Sequence, residues 1–387
     1  MKALVLIIGF LCFFSNVRSQ QNWVNDFNTK YYSLCTSEST LREYYQQRSA
    51  TGDASEFMGV NKIIATLTSM YVVTKNDAYL NDQIKIINNI LSTAAVSKTI
   101  PNNRYALKDD YMGWISQALD NAYHTESVLF EGYAFRYIVQ FLYEIKKSGW
   151  TDRSDKNREW YESTLHFVEK NVWEKWIKRS IKSHAAPYKT FLSSRTHKAS
   201  HWAHIGLFLK ELTIIPEIKT QCQDVINMFD LLMHRNLVSN AKFPDAYTWN
   251  ATWDSVGGTQ AEASAESEIQ DVNHGGHVMS YIVNAKRQNN PNWTNEKMQS
   301  LCNTVKKVMF RESTLTFSDN VDGTASISRP GWGNYQSEGW AMLGLFDEQT
   351  HNLYLDFARR RFDLLEKYSQ EIEYYADQAL IEYLQSQ

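Results

Sequence analysis

The feature that most limits how this sequence can fold is a helical spacing of apolar residues, which recurs along nearly the whole chain. Between Val60 and Val73, apolar side chains return every third or fourth position, as in an amphipathic helix. The polar stretch Lys75–Asp77, with Asn76 as an N-cap candidate, then predicts a turn, and a second helix is predicted from Leu80 to Leu91. The same unit of helix, short turn and helix is predicted four more times: at 126–147 with 157–179, 196–213 with 216–238, 273–288 with 294–312, and 336–347 with 350–385.

These helix pairs predict an all-α fold. Their first helices begin at 126, 196, 273 and 336, a period that is too long and too irregular for short helical repeats such as the tetratricopeptide. The period fits long antiparallel hairpins arranged in a ring, an (α/α) toroid whose inner helices line a cavity. The chain has only 16 Gly and 6 Pro in 387 residues, which argues against a turn-dense all-β fold.

Two stretches interrupt the helical pattern. Residues 241–270 carry a Gly257-Gly258 pair, and residues 313–335 are rich in Ser, Thr, Asp and Gly, with a short hairpin suggested at Asp322-Gly323. Loops of this length in a compact helical domain are usually functional, so we predict that they lie over one end of the toroid. No linker is evident, so residues 20–387 are predicted to form a single domain.

The first nineteen residues predict a secretory signal peptide. Lys2 precedes an apolar run from Ala3 to Phe14, and Val17-Arg18-Ser19 fits a cleavage site with small residues. The run is too short for a spanning helix, and an uncleaved anchor is the alternative. We therefore expect a secreted, extracellular protein that has no membrane attachment after cleavage.

Charge and cysteine content limit the possible binding partners and the number of disulfides. The formal net charge is −3 and no basic block occurs, so a nucleic-acid partner lacks its usual electrostatic footprint. Beyond the signal peptide only Cys35, Cys222 and Cys302 remain, which allows at most one internal disulfide. Asn250 and Asn292 each begin a glycosylation sequon, which is meaningful in a eukaryotic host.

Residues suited to catalysis cluster where a loop meets the first helix of a pair, at 124–136, 195–204, 271–281 and 328–340. In a toroid, all four junctions open at the same end of the cavity, so we expect them to converge. The third cluster contains Asn273-His274-Gly275-Gly276-His277, and a helix start with glycines favours close approach of an anion. Asn273 and His274 could hydrogen-bond a carboxylate or a sugar hydroxyl; alternatively, Asn273 is only the N-cap and His274 a surface residue.

The fourth cluster contains Arg329 and Tyr335. A guanidinium near a phenol lowers the pKa of the phenol, and Tyr335 could then remove a carbon-bound proton and return one to a leaving oxygen. The alternative is a tyrosine packed within a loop. Trp332 and Trp340 fit either a core position or a stacking contact with a sugar ring.

The second cluster contains His197, His201 and His204, which lie on one face of a helix at spacings that can hold zinc. No HExxH motif is present, and the apolar neighbours Trp202 and Ile205 indicate a buried helix. We therefore favour substrate contact by His197 or His201, or simple packing, and predict neither a metal nor a cofactor.

The carboxylates of the first cluster are Glu126 and Glu131, five residues apart and so expected on different helix faces. Glu131 lies among apolar residues and is predicted to be a buried acid, whereas Glu126 fits a helix surface or N-terminal turn. A glycosidase pair would need a partner such as Glu338 or Asp271. The acidic run at 262–268 is predicted to be solvated.

The third and fourth clusters resemble known enzymes. The stretch Asp271–His277, followed by Tyr281, resembles the Asn-His-Gly segment of alginate-lyase-like (α/α) toroid polysaccharide lyases, and Arg329 with Tyr335 is similar to their arginine and catalytic tyrosine. Two positions depart from the family pattern. Val272 stands where these lyases often have a first asparagine, and the aromatic residue that soon follows their histidine is missing.

The resemblance implies β-elimination on a uronic-acid polymer. Asn273 and His274, with a protonated Glu131, would neutralise the substrate carboxylate, and Tyr335 or His274 would act as base. Tyr335 would then protonate the glycosidic oxygen, with Arg329 lowering its pKa. The further residues expected to contact substrate are Glu131, Arg195, His197, His201, His277, Tyr281 and Trp332.

Two other functions remain open at this point. One is a glycoside hydrolase on the same toroid, which would use two carboxylates. The other is a secreted carbohydrate-binding protein without activity. The expected partner in each case is a polysaccharide, an anionic one for the lyase, and the sequence does not fix the oligomeric state.

Overall fold

The computed structural model describes residues 22–119, 122–193, 195–252 and 269–387. The predicted signal peptide, the Gly257-Gly258 pair and the acidic run at 262–268 lie outside these described residues. The described part of the chain is mainly helical, so the predicted all-α class is confirmed.

The α-helices follow the predicted pairs over most of the chain. They are α1 (22–31), α2 (Leu41–Ser49), α3 (Phe57–Thr74), α4 (Asp77–Ser92), α5 (Val128–Lys147), α6 (Asp155–Phe167), α7 (Lys175–His184), α8 (Thr196–Leu212), α9 (Pro216–Asn236), α10 (Val272–Arg287), α11 (Asn295–Asn303), α12 (Glu348–Arg360), α13 (Phe362–Lys367) and α14 (Glu371–Gln385). The π-helical segments Val168–Glu174 and Thr304–Met309 continue α6 and α11, and a 3₁₀ segment spans Ala341–Leu345.

The strands of the described chain are short antiparallel pairs of two residues each. They are β1 (Ala95–Val96) with β2 (Met112–Gly113), β3 (Val238–Ser239) with β4 (Tyr247–Thr248), and β5 (Phe310–Arg311) with β6 (Thr316–Phe317). These pairs lie in the connections between helices and do not form a sheet layer.

Helices from successive pairs pack against one another. α3 contacts α4, α5 and α14; α5 contacts α8; and α8 contacts both α9 and α10. The 3₁₀ segment Ala341–Leu345 contacts α10, α12 and α14. The first helices of the pairs are therefore neighbours in chain order, and α14 returns to α3.

One helical segment, Ala54–Thr74, is long and apolar enough to cross a membrane by length and composition alone. Its residues Val60, Ile63, Ile64 and Leu67 are fully buried, and α3 packs against α2, α4, α5 and α14. This segment is therefore a helix of the protein core.

Side-chain caps fix where helices begin. The predicted N-cap Asn76 accepts a hydrogen bond from the Ala78 N–H at the start of α4, which confirms this prediction. At α10 the N-cap is Asp271, whose side chain accepts from the His274 N–H. Asn273, the alternative cap, is instead the second residue of α10 and is half-buried.

The C-terminal part departs most from the predicted helix pairs. In place of a helix over 336–347, only Ala341–Leu345 is helical, because Glu338 has a φ of 69°, which a right-handed helix cannot contain. The predicted helix 350–385 is divided into α12, α13 and α14, and Ser369 has a φ of 52° just before α14.

The hairpin suggested at Asp322-Gly323 is wrong. These residues form a tight turn, with Gly323 at a φ of 90° and its N–H donating to the Asn320 carbonyl, but no strands flank them in the described chain. The hairpin of this region joins β5 to β6 instead, where Leu315 has a φ of 51°.

The disulfide that the sequence allowed does not form. Cys35 is exposed, Cys222 and Cys302 are buried, and all three thiols are free. The fold is therefore held by helix packing and hydrogen bonds.

Candidate functional site

Four histidines from two packed helices form one group. His197 and His201 lie one turn apart near the start of α8, and His274 and His277 lie one turn apart near the start of α10. Because α8 and α10 pack together, the rings of His197 and His274 stack with centroids 4.2 Å apart, and those of His201 and His277 lie 5.0 Å apart. We call these four residues the histidine group.

The outer edge of the histidine group holds His274 in an ion-paired setting. Its Nδ1 lies 2.9 Å from Oδ2 of Asp271, and the same oxygen accepts from Nη1 of Arg329 at 3.0 Å. The Arg329 guanidinium also lies over the ring of Trp332, 4.9 Å from its centroid, and this ring lies 5.6 Å from that of His274. The side chains of His274 and Arg329 are 22% and 32% exposed, so a solute can reach this edge.

Asp271 fixes the tautomer of His274. Burial alone would raise the pKa of Asp271, but the hydrogen bonds and charge of His274 and the charge of Arg329 lower this pKa overall, so the carboxylate is ionised. An ionised carboxylate only accepts hydrogen bonds, so Nδ1 of His274 carries a hydrogen, and in the neutral ring Nε2 is the acceptor. This nitrogen is therefore suited to take a proton or to accept a hydrogen bond from a hydroxyl.

Behind the outer edge, His277 belongs to a buried line of hydrogen bonds. Its Nδ1 lies 2.7 Å from Oε2 of Glu338, whose Oε1 accepts from Nη2 of Arg136 at 2.8 Å. Its Nε2 lies 3.2 Å from the hydroxyl of Tyr133. Tyr133 and Arg136 lie three residues apart on α5, so this line joins α5, α10 and the segment before Ala341–Leu345.

The charges along this line fix its protonation. Burial alone would raise the pKa of Glu338, but His277 and Arg136 lower this pKa well below its usual range. Burial lowers the pKa of His277 more than the Glu338 charge raises it, so the imidazole is neutral at pH 7. Nδ1 of His277 also lies 3.2 Å from Nη2 of Arg136, but its contact with the ionised Glu338 is shorter and requires a hydrogen on Nδ1. In this tautomer His277 donates from Nδ1 to Glu338 and accepts at Nε2 from the Tyr133 hydroxyl.

Several buried nitrogen atoms at this site have no hydrogen-bond partner among the described residues. They are both ring nitrogens of His201, Nδ1 of His197, and Nε and Nη1 of Arg136. Burial lowers the pKa of His197 and His201 well below its usual range, so both rings are neutral and can donate and accept. Buried polar atoms are nearly always paired in folded proteins, so this concentration of unpaired atoms marks a place where polar ligand groups can bind.

Tyr335 lies beside the site, but its predicted pairing with Arg329 is not among the contacts of either residue. The Tyr335 ring lies 6.4 Å from that of Trp332 and 4.9 Å from that of Tyr368, centroid to centroid. The Lys62 ammonium lies over the ring of Tyr335 at 5.9 Å. The structure thus places both Tyr335 and Arg329 beside Trp332, while the ion pair of Arg329 is with Asp271.

Two predicted substrate-binding residues do not join the histidine group. Glu131 is fully buried, as predicted, and its carboxylate accepts from Lys175 and from Trp176, each at 2.7 Å. Burial raises the pKa of Glu131 more than Lys175 lowers it. Tyr281 is also fully buried, and its hydroxyl donates to Asp230 at 2.7 Å.

The prediction that Glu126 and Glu131 lie on different helix faces is wrong. Glu126 is only 2% exposed, and the Lys175 ammonium lies 3.7 Å from its carboxylate and 2.7 Å from that of Glu131. Glu126 precedes Ser127, the N-cap of α5, so its side chain is not bound by helical spacing and can turn toward the same lysine.

The remaining predicted residues divide between the site and the core. Arg195 is half-buried and directly precedes α8. Trp340 is fully buried and donates to the Val272 carbonyl at 2.8 Å, so it is a core residue. His204 is fully buried, and its Nε2 lies 2.9 Å from Oε1 of Gln140, which fits packing.

A polar cavity lies behind Glu338, between α3, α5, α10 and α14. Its charged lining includes Lys62, Arg287, Glu373 and Asp377. Burial raises the pKa of both Glu373 and Asp377. Water has access to about 50 Å³ of this cavity, which is room for a few water molecules but not for a sugar.

Sequence reasoning placed Tyr133 and Arg136 in the first cluster of residues suited to catalysis but gave neither a specific role. It named Asp271 and Glu338 in the third and fourth clusters and gave them a specific role only as partners in a glycosidase pair. The spacing of Tyr133 and Arg136 places them on one helix face, which was the available signal. Nothing in the sequence links Glu338 to His277.

No group of three or more His, Cys, Asp or Glu side chains in the described ranges is arranged to hold a metal ion. Within the histidine group, the rings of His197 and His274 are stacked, and those of His201 and His277 are tilted by 53°. In comparisons with known proteins, no protein-family model, no curated protein and no solved structure matches this chain.

Proposed function

We propose that this protein is a secreted polysaccharide lyase that cleaves a uronic-acid-containing polysaccharide by β-elimination. The observation that carries the proposal is the outer edge of the site, where partly exposed His274, Arg329 and Trp332 surround Asp271. A guanidinium can bind a carboxylate, an imidazole with a free acceptor nitrogen can take a proton, and an indole face can stack on a sugar ring. Secretion rests on the sequence of residues 1–19.

The helix contacts support a ring-shaped fold for this enzyme. We infer an (α/α) toroid whose inner helices are α3, α5, α8, α10 and α14. The support is that α3, α5, α8 and α10 contact one another in chain order, that Ala341–Leu345 links α10 to α14, and that α14 contacts α3. In such a ring, the starts of α8 and α10 lie at the same end as the long loops.

Removal of the C5 proton is the difficult step of β-elimination. The carboxylate beside C5 is already negative, so loss of the proton is costly unless that charge is neutralised. Arg329 would bind the carboxylate and stabilise the charge that develops in the transition state. Its bond to Asp271 uses one of its terminal nitrogens, Nη1, and leaves Nη2 for the substrate. The Asn273 amide, one residue before His274, would be a second donor.

The elimination also needs a base for the C5 proton and an acid for the glycosidic oxygen. In the enzymes that this sequence resembles, the tyrosine corresponding to Tyr335 returns the proton, and the base is this tyrosine or the histidine corresponding to His274. Asp271 orients the ring of His274 and would stabilise its imidazolium form, which suits His274 either to take the C5 proton or to bind the substrate carboxylate.

Local charge must compensate for the charge of the whole protein. A net charge of −3 does not attract an anionic polymer, so Arg195 and Arg329 would supply the local positive potential at the start of α8 and in the loop that follows α10. Trp332 and His197 would provide faces for the sugar rings.

The proposal is tested by mixing the mature protein, residues 20–387, with alginate, glucuronan, hyaluronan and chondroitin while the ultraviolet absorbance of the C4=C5 double bond is followed. We expect absorbance to rise with at least one polymer. The rate should fall at least about 100-fold in Arg329→Gln and in His274→Gln. The control Arg153→Gln removes an exposed arginine that pairs with Asp77, and its rate should equal the wild-type rate.

The other outcomes identify the competing functions. New reducing ends without absorbance would show hydrolysis, although the lowered pKa values of Asp271 and Glu338 leave neither as the protonated acid that a glycosidase needs. Polymer binding without either signal would show a binding protein. Both results contradict the proposed lyase.

A further inference from the structure

The buried line that runs from Tyr133 through His277 to Glu338 has the arrangement of a catalytic relay. A hydroxyl lies within hydrogen-bond reach of an imidazole, and the other nitrogen of that imidazole is held by a carboxylate. Serine hydrolases use this order of hydroxyl, histidine and carboxylate to activate a hydroxyl oxygen. Here the hydroxyl is a phenol, and Arg136 holds the far oxygen of the carboxylate.

We propose that Tyr133 is the residue that moves the proton in this site, first as base and then as acid, with His277 and Glu338 as its relay. The inference rests on the proposed β-elimination and assigns to Tyr133 the part that the resemblance gives to Tyr335 or His274. His274, held by Asp271, would then bind the substrate carboxylate together with Arg329.

The direction of each hydrogen bond in the relay fits this role. The single ring hydrogen of His277 is on Nδ1 and points to Glu338, so Nε2 can receive the phenolic hydrogen of Tyr133. The lone pairs of the Tyr133 oxygen then remain for a proton from the substrate. The ionised Glu338 stabilises the imidazolium that forms, and Arg136 keeps that carboxylate ionised and in place.

The protons and electrons balance over two steps. In the first, the C5 proton passes to the Tyr133 oxygen while the phenolic proton passes to Nε2 of His277, and the substrate holds the electron pair as an enolate. In the second, this pair forms the C4=C5 bond, the C4–O4 bond breaks, and Tyr133 gives a proton to O4. The proton on His277 returns to Tyr133, so the enzyme regains its starting state without any co-reactant.

A second observation points to a ligand beside Tyr133. The ring of His201 lies 4.4 Å from the ring of Tyr133, and both nitrogens of this fully buried imidazole have no partner among the described residues. These nitrogens are hydrogen-bonding groups that the described chain leaves unsatisfied. Glu338, which orients the relay, also has a left-handed backbone at φ 69°, a strain that non-glycine residues retain mainly at functional positions.

Tyr335 has no comparable relay within the described chain. Its contacts there are the rings of Trp332 and Tyr368 and the Lys62 ammonium over its ring, and none of these accepts a phenolic proton as an imidazole does. Tyr335 is therefore placed to stack on or position a sugar.

The test compares Tyr133→Phe and Tyr335→Phe on whichever polymer the wild type cleaves. Tyr137→Phe is the matched control, since Tyr137 is buried one turn further along α5 and its hydroxyl contacts Ser280. We expect Tyr133→Phe to lower kcat at least about 100-fold with little change in KM, while Tyr335→Phe and Tyr137→Phe retain most of the wild-type kcat. Thermal unfolding of each variant shows whether it is folded.

Three results would overturn the relay. If Tyr133→Phe stays active while Tyr335→Phe is inactive, the inference fails and the lyase function stands. If the wild type produces no unsaturated product from any polymer, the proposed function fails and the inference fails with it. A ¹⁵N NMR spectrum of the wild-type imidazoles gives a readout without substrate, because a His277 ring with its hydrogen on Nε2 could not accept from Tyr133.

Discussion

Asp271 connects three parts of the candidate site through one carboxylate. It caps α10 by accepting from the His274 N–H, holds Nδ1 of the same histidine at 2.9 Å, and pairs with Arg329 at 3.0 Å. The cap needs only an oxygen acceptor, whereas the other two contacts use the negative charge. Substitutions can therefore separate the contribution of Asp271 to protein stability from its contribution to the chemistry of the site.

We predict that Asp271→Asn leaves the fold intact but lowers kcat/KM at least about 10-fold, because an amide caps a helix well but does not stabilise an imidazolium. Asp271→Ala removes the cap as well and should cost a further ~1 kcal/mol of unfolding free energy. Urea unfolding and polymer cleavage measure the two effects. Equal stability of the two variants, or full activity of Asp271→Asn, would contradict this separation.

A second prediction concerns Gly339, next to Glu338. A Cβ at this position would lie 2.1 Å from the backbone nitrogen of Ser280 and 2.3 Å from the carbonyl carbon of Met279, and neither atom can move freely. We expect Gly339→Ala to lower the unfolding free energy by about 3 kcal/mol. Gly149→Ala is the control, since its Cβ would meet nothing within 4 Å and only its φ of 73° is unfavourable, at a cost of about 1 kcal/mol. Similar losses in the two variants would contradict the close packing at Gly339.

At the residue level, local spacing predicted which side chains share a helix face but not which faces meet. His197 and His201 one turn apart, and His274 near His277, were recognisable in the sequence, and the structure brings them together. The bonds from Glu338 to His277 and Arg136 join segments far apart in the chain, and they depend on a positive φ at a glutamate, which no sequence rule predicts.

Among the helices, α9 and α10 are joined through one buried acid, Asp230. Its carboxylate accepts from Tyr281 on α10, and from Asn290, Asn292 and Trp293 in the segment that follows. The Asn292 amide therefore already has a structural partner, which a glycan at this sequon would have to displace. Four donors on a single carboxylate make this contact the main polar link between the two helices.

We predict that Asp230→Ala lowers the unfolding free energy by about 3 kcal/mol, because it leaves several buried donors without an acceptor. Asp224→Ala on the same helix removes an acceptor for Tyr188 alone and should cost about 1 kcal/mol. Chemical unfolding of both variants gives the comparison. A loss for Asp230→Ala no larger than that for Asp224→Ala would contradict the role assigned to this carboxylate.

The apolar period predicted helix positions well where helices are long and amphipathic. α3, α5, α8, α9 and α10 begin and end within a few residues of the predicted bounds. The prediction failed after residue 336 because Glu338 and Ser369 take left-handed backbone conformations, which interrupt a pattern that otherwise reads as continuous helix.

For the whole molecule, buried histidines make stability depend on pH. Burial lowers the pKa of His197, His201, His204 and His277 below the usual 6.5. The unfolded chain takes up protons at these positions as the pH falls below about 6.5, while the folded chain does not. The stabilisation from each histidine is therefore present above this pH and is lost as the pH falls, with a slope of up to about 1.4 kcal/mol per pH unit.

The raised pKa values of Glu373 and Asp377 oppose this trend, because the stability that they contribute is lost as the pH rises. The test therefore compares the dependence of the unfolding free energy on pH between one histidine variant and the wild type. His204→Gln removes one titrating group that lies outside the histidine group. Between pH 6.5 and 5.5 we expect the unfolding free energy of His204→Gln to fall by about 1 kcal/mol less than that of the wild type. Parallel curves would contradict the burial of a neutral His204.

The class of the whole fold followed from the sequence because helical periodicity persists through nearly every segment. The contact between α14 and α3 did not follow from the sequence, since no pattern within α14 indicates that it packs against α3. That contact depends on the shape of everything between the two helices.

The packing of α14 on α3 has a consequence for biosynthesis. Helix α14 supplies Glu373 and Asp377 to the interior cavity, and Trp23 at the other end of the described chain donates to Glu382 of α14 at 2.8 Å. Segments 359 residues apart in the sequence must therefore meet before the walls of this cavity are complete. A chain that stops short of residue 371 would keep most of its helices but leave the apolar side of α3 uncovered. Truncation before α14 would thus produce a chain with exposed apolar surface, which proteases would degrade.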